Sequence, residues 1–106
     1  MPFEIELHEV ARSNLRAVKA FDRVRIIEEI EQQLTYQPDV ETRNRKCLKN
    51  IIPDFEHVPP VWELRVGNYR VYYDVSKAEN IVVVRTVRLK KQGQTTEDVL
   101  HEEDNH

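Results

Sequence analysis

The chain has 106 residues, 40% of them hydrophobic and 33% charged, with only two glycines. That is enough for one packed core and too little for two domains, and it excludes a disordered or glycine-rich linker protein. The formal net charge of −3 excludes a uniformly basic coat for nucleic acid, but the charge is unevenly divided: residues 1–42, 43–91 and 92–106 carry −4, +6 and −5. A basic block between two acidic ones reads either as a mixed solvated surface or as an anion-binding footprint. Cys47 is the only cysteine, so no internal disulfide forms, no zinc-site spacing exists, and a reducing cytoplasm is expected, with no metal and no cofactor. The longest uninterrupted apolar run is Ile81–Val84, which predicts neither a signal peptide nor a membrane span.

Phe3, Ile5 and Leu7 alternate with Glu4, Glu6 and His8, and this period of two predicts a strand over 2–8. From Glu9 the apolar residues Val10, Ala11, Leu15 and Val18 recur at helical intervals, predicting a helix to about Ala20. Asp22 then has the chemistry of an N-cap, with Phe21 placed to staple onto Ile26, so a second helix is expected from there. Its buried stripe is read as Val24, Ile27, Ile30 and Leu34, and Pro38 ends it. Residues 36–60, with Pro38, Pro53, Pro59 and Pro60, show no sustained period and are expected to form a long loop, basic at Arg43, Arg45, Lys46 and Lys49.

The stretch VWELRVGNYRVYYDV, residues 61–75, alternates on both sides of Gly67-Asn68 and predicts a β-hairpin. The β-branched run IVVVRTVRL, 81–89, predicts a well-covered strand. Thr95 or Thr96 followed by Glu97 and Asp98 predicts a short final helix carrying Val99 and Leu100, and 101–106 reads as a flexible tail. The whole chain, 1–106, is therefore expected to be one α+β domain. Two N-terminal helices pack on a small antiparallel sheet in the order β-α-α-β-β-β, followed by the short C-terminal helix.

A two-residue turn sets the hairpin register: Arg65 faces Arg70 and Glu63 faces Tyr72. Opposed like charges are unfavourable. Either Glu63 and Asp74 neutralise them from within, or the pair receives an anion such as a phosphate, to which a guanidinium donates two parallel hydrogen bonds. Arg85, Arg88, Lys90 and Lys91 on the next strand extend the same patch. Trp62, Tyr69 and Tyr73 belong to the apolar face and are read as core, whereas Tyr72 shares the arginine face. The four histidines, His8, His57, His101 and His106, are scattered and read as surface residues.

This order of elements resembles the RelE/ParE superfamily of type II toxin-antitoxin systems. The likeness runs over about residues 3–91 and is densest in LRVGNYRVYYDV, 64–75, with KCLKN, 46–50, similar to the basic element before it. The resemblance implies a toxin bound by a cognate antitoxin, and in the RelE-like branch cleavage of mRNA on the ribosome without a metal. It implies catalytic roles for Arg70, Arg65 and Lys90, and RNA contacts for Lys46, Lys49, Tyr72, Arg88 and Lys91. The ParE-like branch implies inhibition of DNA gyrase instead. The chain departs from the RelE-like pattern at Glu63 and Leu89, and its C-terminal segment lacks the tyrosine that many such sequences carry.

Overall fold

The computed structural model describes residues 1–101; the expected tail beyond His101 lies outside the described residues. The elements are β1 (Glu4–Leu7), α1 (Glu9–Ala17), α2 (Ala20–Leu34), β2 (Arg45–Leu48), β3 (Val61–Val66), β4 (Tyr69–Ser76), β5 (Ile81–Leu89) and α3 (Thr96–Leu100). The α+β class and the short final helix are as expected. The sheet differs from the expected one in two respects. It has five strands in the order β1-β5-β4-β3-β2, because Arg45–Leu48, read as loop, pairs antiparallel with β3. It is also mixed, because β1 runs parallel to β5, Glu4 opposite Ile81 through Leu7 opposite Val84. A parallel pair needs a crossover, and α1, α2 and the hairpin together supply it.

β1 covers only the first half of β5. Beyond it, the side-chain oxygen of the buried Asn14 on α1 accepts hydrogen bonds from the Val87 amide (2.9 Å) and the Thr86 hydroxyl (2.9 Å). α1 thereby closes an edge that a strand leaves open.

Only two residues separate α1 from α2, and Arg23 seals the junction. Its Nε donates to the Leu15 carbonyl (2.8 Å) and its Nη2 to the Val18 carbonyl (3.0 Å), satisfying acceptors that the end of α1 leaves open. This short link starts α2 at Ala20 with Lys19 as N-cap, without a side-chain cap. The predicted cap at Asp22 and staple at Phe21 are therefore displaced: Phe21 is 81% exposed, and the Asp22 carboxylate accepts from the Tyr69 hydroxyl at 3.0 Å. The buried stripe is Ile26, Ile30 and Leu34, whereas Val24 is 55% exposed and Ile27 sits at the exposed margin.

The sheet is covered on both faces. Toward α1 and α2, Ala11, Leu15, Ile26, Ile30 and Leu34 pack on Trp62, Leu64, Val71, Tyr73, Val82 and Val84, with Trp62 and Tyr73 stacked at 6.3 Å between centroids. On the opposite face a smaller core joins Leu48, Val61 and Tyr72 to Val99 and Leu100 of α3, with Ile51 and Phe55 of the connecting loop against it. Burying Val99 and Leu100 stabilises a helix too short to persist alone. Its start is a capping box in which Thr95 and Asp98 satisfy each other's backbone N–H.

The two candidate stripes of α2 make opposite predictions. Ile26→Ala should cost about 2–4 kcal/mol in urea unfolding through the cavity it leaves, whereas Val24→Ala should stay within about 0.5 kcal/mol of wild type.

Candidate functional site

The hairpin forms with the predicted register: Arg65 opposite Arg70, Glu63 opposite Tyr72. Gly67 enables the turn by adopting a φ of +56°, and a Cβ there would also meet the Arg25 guanidinium at 3.1 Å. β5 extends the row, because Arg88 lies opposite Arg70. Three arginines thus follow one another across three strands on the face away from α1 and α2.

Each of the three is settled differently. Arg88 is buried: it donates to the Val99 carbonyl (2.8 Å) and to Asp54 (3.0 Å) and lies 5.3 Å over the Phe55 ring. Arg70 is 7% exposed, and its Nη1 donates to the carbonyls of Gly67 and Tyr69, both at 2.9 Å. Arg65 is exposed; its amide donates to the Asn44 carbonyl (2.8 Å), but its guanidinium has no hydrogen bond or ion pair among the described residues.

Neither carboxylate expected to neutralise the row does so. Asp74 is taken by Arg85, whose Nε and Nη2 donate to it at 2.7 and 3.3 Å, and by the Val58 amide at 2.9 Å. Glu63 accepts from the Tyr72 hydroxyl at 2.8 Å.

At the hairpin end of the sheet an open groove of about 600 Å³ is lined by Asn68 and Arg70 on one side and by residues 89–94 on the other. Lys90 and Lys91 lie in it, with no carboxylate among the lining residues. The far wall is held in place by backbone contacts. The Lys90 amide donates to the Asn68 carbonyl (2.7 Å), and the Lys91 amide to the Gln94 side chain (2.7 Å). The Lys90 and Lys91 side chains have no partner among the described residues.

The sequence-predicted residues therefore separate. Arg70, Lys90 and Lys91 meet in the groove, and Arg65 stands on the strand beside it. Lys46 and Lys49 are exposed outside the groove lining, Lys46 opposite Glu63. Tyr72 and Arg88 are not surface residues. The small core under α3 buries Tyr72 completely, and Arg88 holds that helix to the sheet, so neither presents its polar end to a ligand. Burial, followed by the neighbouring Glu63 charge and hydrogen bond, pushes the Tyr72 phenol well above its ordinary range.

His8 is half-buried, not a plain surface residue. Its Nδ1 accepts from the Val10 amide (3.1 Å) as N-cap of α1, and its Nε2 lies 3.3 Å from Glu56. Among the described residues no cluster of His, Cys, Asp or Glu could hold a metal ion, and no helix is long and apolar enough to cross a membrane.

A family model described as the ParE toxin of the type II toxin-antitoxin system parDE matches residues 5–93. Among solved structures, the archaeal RelE-RelB complex of Pyrococcus horikoshii is similar with a TM-score of 0.67 at 17% identity, over 88% of this chain and 100% of that one. The RelBE2 toxin-antitoxin complex of Mycobacterium tuberculosis gives 0.65 at 20%, over 85% and 100%. The isolated RelE toxin of E. coli gives 0.63 at 16%, over 87% and 88%. At these identities the structural likeness is one of fold. No curated protein matches. The fold and the matched family model define a toxin of a type II toxin-antitoxin system, of the RelE/ParE kind. The chain belongs to the ParE toxin family.

Two measurements check this placement of the polar groups. Arg88→Ala should cost about 2–4 kcal/mol, because it leaves Asp54 and the Val99 carbonyl without their donor, while Arg65→Ala should stay within about 0.5 kcal/mol. In an alkaline titration, Tyr72 and Tyr73, both raised chiefly by burial, should show phenolate absorbance only as the fold is lost. Above the ordinary value of about 10 the unfolded chain gives up these protons and the folded one keeps them. Their stabilisation is therefore complete below that pH and declines above it.

Proposed function

We propose that this toxin acts in the RelE-like way, cleaving mRNA at the ribosome without a metal, and that a cognate antitoxin holds it in check. The observation that carries the reading is the groove: Arg70, Lys90 and Lys91 converge there without an opposing carboxylate, and Arg65 stands unpaired alongside. A phosphodiester seated in the groove meets two ammonium groups and the remaining N–H groups of Arg70. As the 2′-hydroxyl attacks phosphorus, negative charge grows on the phosphoryl oxygens, and cations already fixed in place stabilise that charge more than they stabilise the ground state. Arg70 is preorganised for this by its two bonds to the hairpin carbonyls, and Lys90 by its backbone tie to Asn68. Lys46, Lys49 and Arg65 hold the flanking RNA by charge, a contribution that salt weakens. The antitoxin follows from the family and from the RelB-bound form of the similar solved toxins.

The test is induced expression with mapping of transcript ends, for wild type, Arg65→Ala and the pair Lys90→Ala with Lys91→Ala. Wild type should arrest growth and cut transcripts within codons. The charge variants should fold normally and lose cleavage by about tenfold to a hundredfold, the equivalent of about 1.4–2.8 kcal/mol of transition-state stabilisation. Growth arrest with intact transcripts would remove the nuclease reading. A second reading, inhibition of DNA gyrase, is favoured by the matching family model, which is that of parDE toxins; a supercoiling assay with purified gyrase decides it.

A further inference from the structure

We propose that the outer face of α2 is a self-association surface, on which a second copy of this chain packs antiparallel about a two-fold axis. The fold uses the other side of the helix, where Ile26, Ile30 and Leu34 enter the core. What is left outward is not wholly polar. Phe21 is 81% and Val24 55% exposed, with Ile27 at the margin. Phe21 and Val24 line an open depression of about 540 Å³ together with Ala20, Arg25 and Glu28. A single exposed apolar side chain is ordinary, but apolar neighbours one turn apart on a charged helix form a contiguous patch that association removes from water.

The charge of α2 selects the occupant. Residues 19–25 carry +2 and residues 26–34 carry −3. The basic half also holds the positive end of the helix dipole, where Lys19 supplies no side-chain cap. A parallel copy sets like charge against like. An antiparallel copy centred on Val24 sets Val24 against Val24, Phe21 against Ile27 of the other copy, and Glu28 abreast of Ala20 of the other copy, at that basic and uncapped helix start. Symmetry makes the favourable contact twice, and an isologous interface closes at two chains. Among the described residues the side chains of Arg25 and Glu28 have no hydrogen bond or ion pair, so neither is committed within the chain. The face is also held still. Asp22 accepts from the Tyr69 hydroxyl, and Arg23 ties the helix start to the end of α1, so little ordering entropy is lost on association. One helix pair buries less than the interface of an obligate dimer, and the expected Kd is about 10–100 µM.

The experiment is sedimentation equilibrium of the purified full chain from about 1 µM to about 500 µM, at low and high salt. Wild type should pass from monomer to dimer with no larger species, and should dissociate more readily as salt rises. Val24→Glu places two carboxylates at the axis, and Glu28→Lys sets a cation against the basic half. Both change exposed positions and are expected to keep the wild-type melting temperature, and each should weaken the dimer at least about tenfold. A wild type that stays monomeric over this range, or that associates without limit and more strongly as salt rises, overturns the proposal. So does a dimer that both variants leave intact, because it forms through another face. If the toxin is monomeric and Val24→Glu instead abolishes capture of the cognate antitoxin, the face belongs to the antitoxin and the proposal falls. None of these readouts involves RNA cleavage, so the outcome is independent of the groove.

Discussion

The hairpin register governs this molecule. A two-residue link at Gly67-Asn68 admits one pairing of β3 with β4, and because strand side chains alternate, that pairing sends Trp62, Leu64, Val71 and Tyr73 to one face and Glu63, Arg65, Arg70 and Tyr72 to the other. A slip by one residue would put the aromatic core in water. The correct register carries an electrostatic cost, since β5 pairs so that Arg88 continues the row begun by Arg65 and Arg70. The fold offsets most of that cost by giving each guanidinium a mechanical task. Arg88 fastens Asp54 and α3 to the sheet, and Arg70 ties its own turn. Arg65, at the margin, is left to solvent, where water screens it.

The second, smaller core follows from this arrangement. α3 is five residues long and has no independent stability, so it exists by burying Val99 and Leu100 against Tyr72, Val61 and Leu48. The same docking fixes the segment between β5 and α3 that forms the far wall of the groove. Stability and site geometry are thus joined through Arg88, which is not itself one of the residues lining the groove yet bonds the helix that holds that wall in place.

What the sequence made legible was local. The hairpin and β5 declared themselves because strict alternation, β-branched residues and a Gly-Asn turn are independent signals that agreed. The stripe of α2 was misread because the helix carries apolar residues on two sides. Phe21, Val24 and Ile27 repeat at helical spacing as well as Ile26, Ile30 and Leu34 do, and only the packed sheet chooses between them. The parallel pairing of β1 with β5 is a contact between residues more than seventy positions apart, and no turn chemistry announces it. β2 is four residues within a proline-rich segment, too short for its period to show. In the site, the family resemblance and the register brought out Arg65, Arg70, Lys90 and Lys91. The alternation that placed Tyr72 on the arginine face was correct, but its burial depends on a helix nearly thirty residues further along the chain.

The basic block shows the same limit and gives it a physical meaning. Of the five sheet arginines within it, Arg45 is buried against the Gln33 and Val40 carbonyls, Arg85 is bound to Asp74, Arg88 to Asp54, and Arg70 to its turn; the Arg65 guanidinium alone has no partner among the described residues. A charge count treats them alike. The fold uses long, multiply donating side chains as internal struts, since a guanidinium can satisfy several carbonyls or a carboxylate at once. What remains for a ligand is consequently concentrated at one end of the sheet, where Lys90 and Lys91 rise beside Arg70 in a groove whose lining holds no carboxylate. Local field, not net charge, governs the approach of an anion. That is why a chain with an excess of acidic residues can still present one locally cationic surface.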